Sequence, residues 1–230
     1  MNEHFIKPIA HIKSDFKEKF GIPRQSGLSP SSEALVIFEP EYRDESAFLG
    51  IDGFDYLWII FDFSLAHRSE FCPTVRPPRL GGNKKVGVFA SRSPFRPNSI
   101  GLSSVKLKSV EKNAEYGTYL KVSGADLLDG TPVYDVKPYL PYSDCHVDAC
   151  GGYTESKDFN LLNVVFAPSA KGVLSAERET ALCECLSQDP RPAYKENDNA
   201  EQVYGMKFAD RDVKFIIKEK TLTIIKIERI

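Results

Sequence analysis

The fold is decided by a stretch near the end of the first quarter of the chain, Tyr56-Leu57-Trp58-Ile59-Ile60-Phe61-Asp62-Phe63. It is nearly all apolar and rich in aromatic and β-branched residues, which is typical of a strand that is buried on both faces. The run is far too short to cross a bilayer, because a membrane-spanning helix needs about 20 apolar residues. We therefore expect a buried strand in a protein that has no membrane partner.

Short β-type runs continue this pattern on both sides of the stretch, at residues 35–38, 86–90, 105–108, 119–122 and 161–166. Turn signals separate them, among them Gly81-Gly82-Asn83 and Asp129-Gly130. Because no helical patterns alternate with these runs, a parallel, doubly wound sheet is disfavoured. The sequence predicts a mainly β fold in which a single antiparallel sheet closes into a β-barrel.

The pattern changes after residue 168. Residues 175–186 predict a helix that begins at the N-cap Ser175 and places Leu182, Cys185 and Leu186 on one face. Residues 213–217 and 222–227 then predict a hairpin. We expect a boundary near residues 167–171, with a barrel domain at 1–168 and a small α+β domain at 169–230.

Composition limits the class of protein. An apolar fraction of 42% in 230 residues is ample for a core and argues against disorder. The five cysteines have no framework spacing and the start has no basic-then-apolar leader, so we expect a cytoplasmic protein. The segment Cys145-His146-Val147-Asp148-Ala149-Cys150 could be read as a metal site, but no second cysteine or histidine pair at the spacing of structural zinc sites supports it. We interpret these as loop residues and predict no metal.

Positive charge is concentrated in one part of the chain. No acidic residue lies between Glu70 and Glu111, whereas that window holds Arg76, Arg79, Lys84, Lys85, Arg92, Arg96, Lys106 and Lys108. A phosphate-facing surface needs such a concentration, because neutralised phosphates release their counterions. The alternative is a solvated basic face, which short runs often form.

Two familiar nucleotide-binding motifs are absent from the glycine-rich part of that window. Gly82 and Gly87 have the offset of a P-loop, but Val88-Phe89 follows where Lys and Ser or Thr are required. No Gly-x-Gly-x-x-Gly follows a strand, so the usual dinucleotide site is also excluded. An adenosyl cofactor would have to bind elsewhere.

Two other loops have suitable chemistry for such a cofactor. Residues 21–27 offer the guanidinium of Arg24 and the amide of Gln25 for a carboxylate and a purine edge. Residues 126–131 place two acids around Leu127 and Leu128, which suits an adenine face together with ribose hydroxyls or an ammonium group. The alternative for Asp129-Gly130 is an ordinary turn.

A rigid cationic loop follows at Arg92-Ser93-Pro94-Phe95-Arg96-Pro97-Asn98. Arginines, an aromatic ring and two prolines suit RNA, whose unpaired bases stack on aromatic or guanidinium planes. Arg191-Pro192-Ala193-Tyr194 repeats this chemistry near the C-terminus. The residues alone predict an anionic ligand, with a nucleic acid favoured.

Several motifs identify a family. They are Lys17-Glu18-Lys19-Phe20, Pro23-Arg24-Gln25, Arg76-Pro77-Pro78-Arg79-Leu80-Gly81-Gly82-Asn83, Gly87-Val88-Phe89-Ala90, Arg92-Ser93, Arg96-Pro97-Asn98, Ile100-Gly101, Asp129-Gly130-Thr131-Pro132-Val133, Lys137-Pro138-Tyr139 and Gln188-Asp189-Pro190-Arg191-Pro192-Ala193-Tyr194. With them the chain resembles the TrmO tRNA methyltransferases, also called TsaA or YaeB. The resemblance covers almost the whole chain and matches the two-domain bacterial members.

The resemblance implies an enzyme that uses S-adenosylmethionine (SAM), is built on an antiparallel β-barrel and is usually a homodimer. Its substrate would be threonylcarbamoyl-adenosine beside the anticodon of a threonine tRNA, methylated on N6. The implied SAM contacts are Pro23, Arg24, Gln25, Arg92, Leu102, Asp126, Leu127, Leu128 and Asp129. Ser64 and Leu65 stand where family members carry His and Gln, and we expect backbone contacts there.

The anticodon stem-loop is the expected RNA partner. Basic residues would hold its phosphates and Phe95 would stack on a base; the predicted RNA-binding set is Arg76, Arg79, Lys84, Lys85, Phe95, Arg96 and Arg191. Asp126 and Asp129 are the candidates for accepting the N6 proton or for balancing the sulfonium charge.

Two alternatives of other classes remain. One is an RNA-binding module without catalysis, which would keep the basic loop but would not bind SAM. The other is a hydrolase that uses Asp144, His146 or Cys150, which no nucleophile motif supports.

Overall fold

The computed structural model describes residues 4–77, 80, 84–155, 161–191 and 202–230. Within these ranges the strands are β1 Ala10–Ser14, β2 Glu33–Phe38, β3 Tyr56–Asp62, β4 Thr74–Val75, β5 Val86–Gly87, β6 Ile100–Asn113, β7 Gly117–Ser123, β8 Pro132–Pro138, β9 Asn163–Phe166, β10 Val203–Phe208, β11 Arg211–Lys218 and β12 Thr221–Arg229. The α-helices are α1 Pro141–Asp144 and α2 Ala176–Ser187. Turns of 3-10 helix are Pro40–Tyr42, Glu45–Phe48, Ile51–Gly53, Val88–Ala90 and Gly152–Thr154.

Six strands form a closed barrel in the order β1-β2-β7-β6-β3-β8, and every pairing in it is antiparallel. The predicted fold class, a mainly β chain with a single-sheet antiparallel barrel, is therefore confirmed. Strand β6, Ile100–Asn113, is much longer than the predicted run at residues 105–108. At its start the small residues Gly101 and Ser103 face inward while Ile100 and Leu102 are exposed, so its apolar pattern does not indicate a strand there.

Strand β3 differs from its prediction in one respect. Leu57, Ile59 and Phe61 point into the barrel and are 0%, 0% and 4% exposed, whereas the alternate residues are half-buried or, at Tyr56, exposed. The expectation of burial on both faces was wrong, since a barrel wall has one interior face. The outer face is covered by one local contact, in which Trp58 packs against Tyr139 and donates through Nε1 to Asp144 Oδ2 at 2.8 Å.

The C-terminal part forms a second sheet in the order β10-β11-β12-β9, with its own core. Helix α2 begins as predicted, because the side chain of Ser175 accepts a hydrogen bond from Arg178 N. Leu182, Cys185 and Leu186 are buried on one face, and β11 pairs with β12 as the predicted hairpin.

The two sheets divide earlier than the predicted boundary. Strand β9 pairs in parallel with β12 of the C-terminal sheet, although residues 161–166 were expected to belong to the barrel domain. Such a pairing joins segments far apart in sequence, so no local pattern indicates it. The division between the sheets thus falls before residue 163.

Other differences are local. The run predicted at residues 86–90 is a strand only at Val86–Gly87, where it pairs with β4, and Val88–Ala90 is a 3-10 turn. Strands β1, β4, β8 and β10 were not predicted. Strand β1 has the sequence Ala-His-Ile-Lys-Ser, in which every second residue is buried. Because two of these buried residues are the small Ala and the polar Ser, the sequence shows no alternation of apolar and polar residues.

The barrel and the C-terminal sheet are joined by polar contacts. Glu184 on α2 accepts hydrogen bonds from Ser29 Oγ at 3.1 Å and from Ser31 N at 2.9 Å. Arg178 makes a two-point ion pair with Asp15 at 2.8 and 2.9 Å. The Arg178 ion pair fixes the first turn of α2 and the Glu184 hydrogen bonds fix its C-terminal half beside the barrel.

No helix in the described part of the chain is long and apolar enough to cross a membrane.

Candidate functional site

A cavity of about 710 Å³ opens where β3 ends and β6 begins, at one end of the barrel. That volume lies in the range of small-molecule sites, which is roughly 300–1,000 Å³. All of the predicted cofactor residues except Asp129 line it: Pro23, Arg24, Gln25, Ser64, Leu65, Arg92, Leu102, Asp126, Leu127 and Leu128. The fold thus brings five separate segments of the sequence together around one cavity.

One side of the cavity, which we call the barrel wall, consists of Arg92, residues 101–103 and residues 126–128. Ser103 Oγ donates a hydrogen bond of 2.6 Å to Asp126 Oδ1. Burial raises the pKa of Asp126 above its ordinary value, against the opposing effects of that hydrogen bond and of the positive charge of Arg92. A cation in the cavity would offset this cost of burial.

Arg92 is the other charged group of the barrel wall. Its Nη1 donates to Oε1 of Gln25 at 2.8 Å, so these two predicted cofactor residues contact each other across the cavity. Gly101 lets the wall come close to the ring of Phe61, because a Cβ at this position would lie 2.2 Å from the Phe61 ring. Only glycine therefore fits at this point of β6.

Asp129 has a different position from Asp126. Its Oδ1 accepts from Ser14 N at 2.9 Å and its Oδ2 lies 2.8 Å from Lys17 Nζ. Gly130, in the left-handed region at φ 75°, donates its N–H to Ile12 O. Asp129 therefore connects a glycine turn to β1, in agreement with the alternative interpretation of Asp129-Gly130 as an ordinary turn. It is not among the residues that line the cavity.

The C-terminal part of the chain contributes Pro190 to the lining of the cavity. We call Pro190 together with its chain neighbours Asp189 and Arg191, which do not line the cavity themselves, the C-terminal wall. Asp189 has φ 48° and pairs with Arg191, whose Nη2 lies 2.8 Å from Oδ2 and whose Nε lies 3.0 Å from Oδ1. Their side chains are only 13% and 5% exposed. Arg24 Nη2 donates to the carbonyls of Asp189 and Arg191, both at 3.1 Å, and so attaches the wall to the barrel.

Arg191 is therefore buried in the described structure and does not present its guanidinium to an RNA. The prediction of an RNA contact there relied on the Arg-Pro-aromatic pattern, which does not distinguish a surface arginine from a buried one. Residues 192–194 of that motif lie outside the described residues. Pro190 and Lys19 also line the cavity, and sequence reasoning missed both.

The predicted RNA-binding residues of the basic loop lie beside the cavity. Phe95 and Arg96 line it, and Arg96 Nη1 donates to the carbonyls of Val88 and Ser91 at 3.2 and 2.7 Å. Arg68 covers the Phe95 ring at 3.6 Å, which leaves Phe95 36% exposed. Arg76, Lys84 and Lys85 are exposed, whereas Arg79 lies outside the described residues.

An exposed aromatic pair accompanies this loop, and sequence reasoning did not single it out. Phe71 and Phe89 are 60% and 74% exposed, and their rings stack with centroids 6.5 Å apart.

A second missed feature is a histidine–carboxylate pair. Asp62, the last residue of β3, lines the cavity, and His67 Nε2 lies 2.8 Å from its Oδ1 and 3.0 Å from its Oδ2. The Asp62 side chain is 11% exposed and that of His67 is 60% exposed. The pair reaches from the cavity to the surface.

The segment from Asp144 to Cys150 forms no comparable site. Asp144 Oδ2 accepts from Leu140 N and from Trp58 Nε1, and these hydrogen bonds lower the pKa of Asp144. Cys145 and Cys150 are exposed free thiols. Among the residues that the structure describes, no group of three or more His, Cys, Asp or Glu side chains is arranged to hold a metal. A hydrolase based on this segment is not supported.

Comparison with known proteins agrees with this geometry. The model of the tRNA-methyltransferase O N-terminal domain matches residues 11–145, and that of the TrmO C-terminal domain matches residues 160–230. The chain is 38% identical over 234 residues to a tRNA (adenine(37)-N6)-methyltransferase of Escherichia coli (strain K12), and the match covers 99% of each chain. It is 39% identical over 217 residues to a Pseudomonas aeruginosa protein assigned as an S-adenosylmethionine-dependent methyltransferase, with 91% of each chain covered.

A solved structure is similar over the whole chain. The crystal structure of TrmO from P. aeruginosa superposes with a TM-score of 0.81 at 31% sequence identity. The match covers 100% of this chain and 98% of that one.

Proposed function

Because the chain belongs to the tRNA-methyltransferase O family and is a SAM-dependent tRNA methyltransferase, we propose that it methylates N6 of adenosine 37 in tRNA. The proposed form of this nucleoside is threonylcarbamoyl-adenosine in a threonine tRNA. The observation that carries the proposal is that the predicted cofactor residues, Asp126 among them, line one and the same cavity.

The residues of the cavity fit SAM. Leu102, Leu127 and Leu128 provide an apolar surface for the adenine ring, and Arg92 provides a guanidinium for the carboxylate. Asp126 carries a carboxyl group whose pKa is raised by burial, so a bound ammonium or sulfonium would stabilise its charged form. The cofactor-binding set that we propose is the predicted one without Asp129, which is tied to Ser14 and Lys17.

When bound, SAM supplies a methyl group that its sulfonium charge already activates. The task of the protein is then mainly to align N6 with that methyl group, and such orientation removes much of an activation barrier. Gln25 and Arg92, which contact each other at 2.8 Å, and the short Ser103–Asp126 hydrogen bond give the cavity a fixed arrangement of polar groups.

The proposed RNA surface lies beside the cavity, where Arg76, Lys84, Lys85 and Phe95 are exposed and Arg96 is half-buried. Arginine and lysine side chains there would hold phosphates of the anticodon stem-loop. Because such contacts release counterions, tRNA affinity should fall steeply between about 50 and 200 mM salt. A flat salt response would contradict a basic RNA surface.

We also propose that the protein acts as a cytoplasmic homodimer. The exposed Phe71–Phe89 pair supports a second copy of the chain as partner, because exposed apolar patches are typical of interfaces. Light scattering should give twice the mass of the chain, and Phe89→Ser should shift the protein toward the monomer. A monomeric wild type would contradict this part of the proposal.

The direct test of the function is mass spectrometry of tRNA nucleosides from cells that lack the protein. The methylated form of threonylcarbamoyl-adenosine should disappear and the unmethylated form should accumulate. If the methylated nucleoside persisted, the proposed substrate would be wrong.

A second experiment separates the enzyme from an RNA-binding module without catalysis. SAM should raise the thermal unfolding midpoint of the purified protein, since a ligand that binds only the folded state stabilises it. The absence of any shift at millimolar SAM would favour the binding module.

A further inference from the structure

The pair Asp62–His67 has the arrangement of a proton-accepting dyad at the edge of the cavity. Asp62 lies at the end of β3 with a nearly buried side chain, and it holds one nitrogen of the His67 ring, Nε2, at 2.8 Å. No hydrogen bond to the other nitrogen, Nδ1, is formed by any residue in the described ranges. A carboxylate that orients an imidazole in this way leaves the second nitrogen available as a base.

The surroundings fix this pair in place. Ile60 pairs with Asp135 and Phe61 pairs with Val133, so Tyr134 is the extra residue of a β-bulge in β8. Burial raises the pKa of Tyr134, and the charge of Asp62 and a hydrogen bond to it raise that pKa further, so the tyrosine also faces the carboxylate. The loop between Asp62 and His67 is held by Lys19, whose Nζ donates to Leu65 O at 2.7 Å.

We propose that His67, oriented by Asp62, accepts the proton that leaves N6 of the substrate adenosine. The assignment rests on the proposed function. His67 was not among the catalytic candidates predicted from the sequence, which were Asp126 and Asp129. Asp129 is tied to Ser14 and Lys17, and Asp126 lies beside Arg92 in the proposed cofactor part of the cavity. His67 lies one residue beyond the lining residues Leu65 and Ala66, on the exposed side that a macromolecular substrate can reach.

The chemistry balances with groups already present. The bond from N6 to the methyl carbon forms as the sulfur–methyl bond breaks, and sulfur keeps the electron pair of that bond. The N6 proton passes to Nδ1 of His67, and the imidazolium that forms is stabilised by the Asp62 carboxylate. The ring is 60% exposed, so it returns the proton directly to water.

The test measures kcat of the full-length His67→Ala protein at saturating SAM and tRNA. We expect a loss of about 100-fold, which is typical for removal of a general base. Because the ring is 60% exposed, added imidazole should restore part of the lost activity, whereas loss of a purely structural residue would not respond to it. The affinities for SAM and tRNA, measured by calorimetry and by filter binding, should stay within threefold, about 0.7 kcal/mol, of the wild-type values.

The matched control is His11→Ala. His11 lies 3.3 Å from Glu39 in a similar half-exposed pair on β1, but neither residue lines the cavity. Its removal should leave kcat unchanged with or without imidazole.

The pH dependence of kcat provides the second readout. An imidazole base gives a rate that falls as pH is lowered, because the protonated ring accepts no proton. In His67→Gln this acidic limb should disappear. The other titratable or charged groups that face the pair or its loop are Tyr134, Lys19 and Arg68, and all of them remain in this variant.

An acidic limb that persists in His67→Gln overturns the proposal, whatever the size of the loss in rate. A His67→Ala protein with wild-type kcat overturns it as well. Loss of methyl transfer to adenosine 37 by the wild type itself is a different result, since that would refute the proposed function and not the choice of base.

Discussion

The charged side chains of the C-terminal wall and of the barrel wall differ in their interaction partners. In the C-terminal wall, Asp189 and Arg191 are paired with each other by several short contacts and are almost completely buried. In the barrel wall, Arg92 donates to the neutral side chain of Gln25 and Asp126 accepts from that of Ser103, so the opposite charges of Arg92 and Asp126 attract each other without forming an ion pair. Buried side chains of opposite charge that form an ion pair with each other stabilise the fold. A charged side chain whose hydrogen-bond partners are neutral can still form an ion pair with a ligand. The comparison therefore predicts different consequences for removing each arginine.

The largest effect on stability is expected in the C-terminal wall. Arg191→Ala leaves the Asp189 carboxylate buried without its cation, which costs about 3 kcal/mol of unfolding free energy. Urea denaturation measures this loss. SAM affinity should change only a few-fold, because Pro190 and Arg24 are the residues of this region that line the cavity.

The control for this variant is Arg211→Ala. Its partner Asp210 is 54% exposed, so this ion pair should contribute less than about 1 kcal/mol. If Arg191→Ala were as stable as this control, the C-terminal wall would not be the scaffold described here.

In the barrel wall we expect the reverse result, a large loss of SAM affinity with little change in stability. Arg92→Ala removes an exposed guanidinium that we assign to the SAM carboxylate, and charge-assisted hydrogen bonds contribute about 2 kcal/mol, or roughly 30-fold in affinity. Calorimetry should therefore show a large loss of SAM binding, while the urea midpoint stays unchanged. Unchanged cofactor affinity would refute the assignment of Arg92 and remove the contrast between the walls.

The same contrast explains how far the sequence could predict the site. The barrel wall was predictable, because its residues lie in motifs that local chemistry and the family resemblance both indicate. Arg191 was predicted as a surface contact, since its motif gives no information on burial. Its pairing with Asp189 depends on a left-handed residue at φ 48°, which no pattern indicates at an aspartate.

The fold shows a similar limit. Strand β3 and helix α2 have strong local patterns and were predicted within a few residues of their ends. Strand β9 was predicted as a strand but assigned to the wrong sheet, because its parallel partner β12 lies far along the chain. The Asp62–His67 pair was missed for a related reason, since its significance depends on the cavity and not on the spacing of the two residues.

A smaller effect on SAM binding is expected for Asp126. Asp126→Asn keeps the shape of the side chain but removes its charge, so SAM affinity should fall by about tenfold at pH 8. Because burial raises the pKa of Asp126, the wild type should lose SAM affinity as the solution becomes acidic, and at a higher pH than an ordinary aspartate would cause, since the protonated acid does not stabilise a cation. The variant should lack this pH dependence, and calorimetry at several pH values measures both effects. A variant with the same pH dependence as the wild type would exclude Asp126 as its source.

The smallest effect is expected for Asp129, on the same loop as Asp126. Its side chain is 35% exposed and its pair with Lys17 is partly open to water, so Asp129→Asn should lower the unfolding free energy by only about 1 kcal/mol. SAM affinity should not change, because Asp129 holds β1 and does not line the cavity. Calorimetry and urea denaturation of this variant beside Asp126→Asn therefore test the distinction within one loop. If Asp129→Asn weakened SAM binding as much as Asp126→Asn, the barrel wall would extend to Asp129, and a carboxylate paired with Lys17 would belong to the site and not to its scaffold.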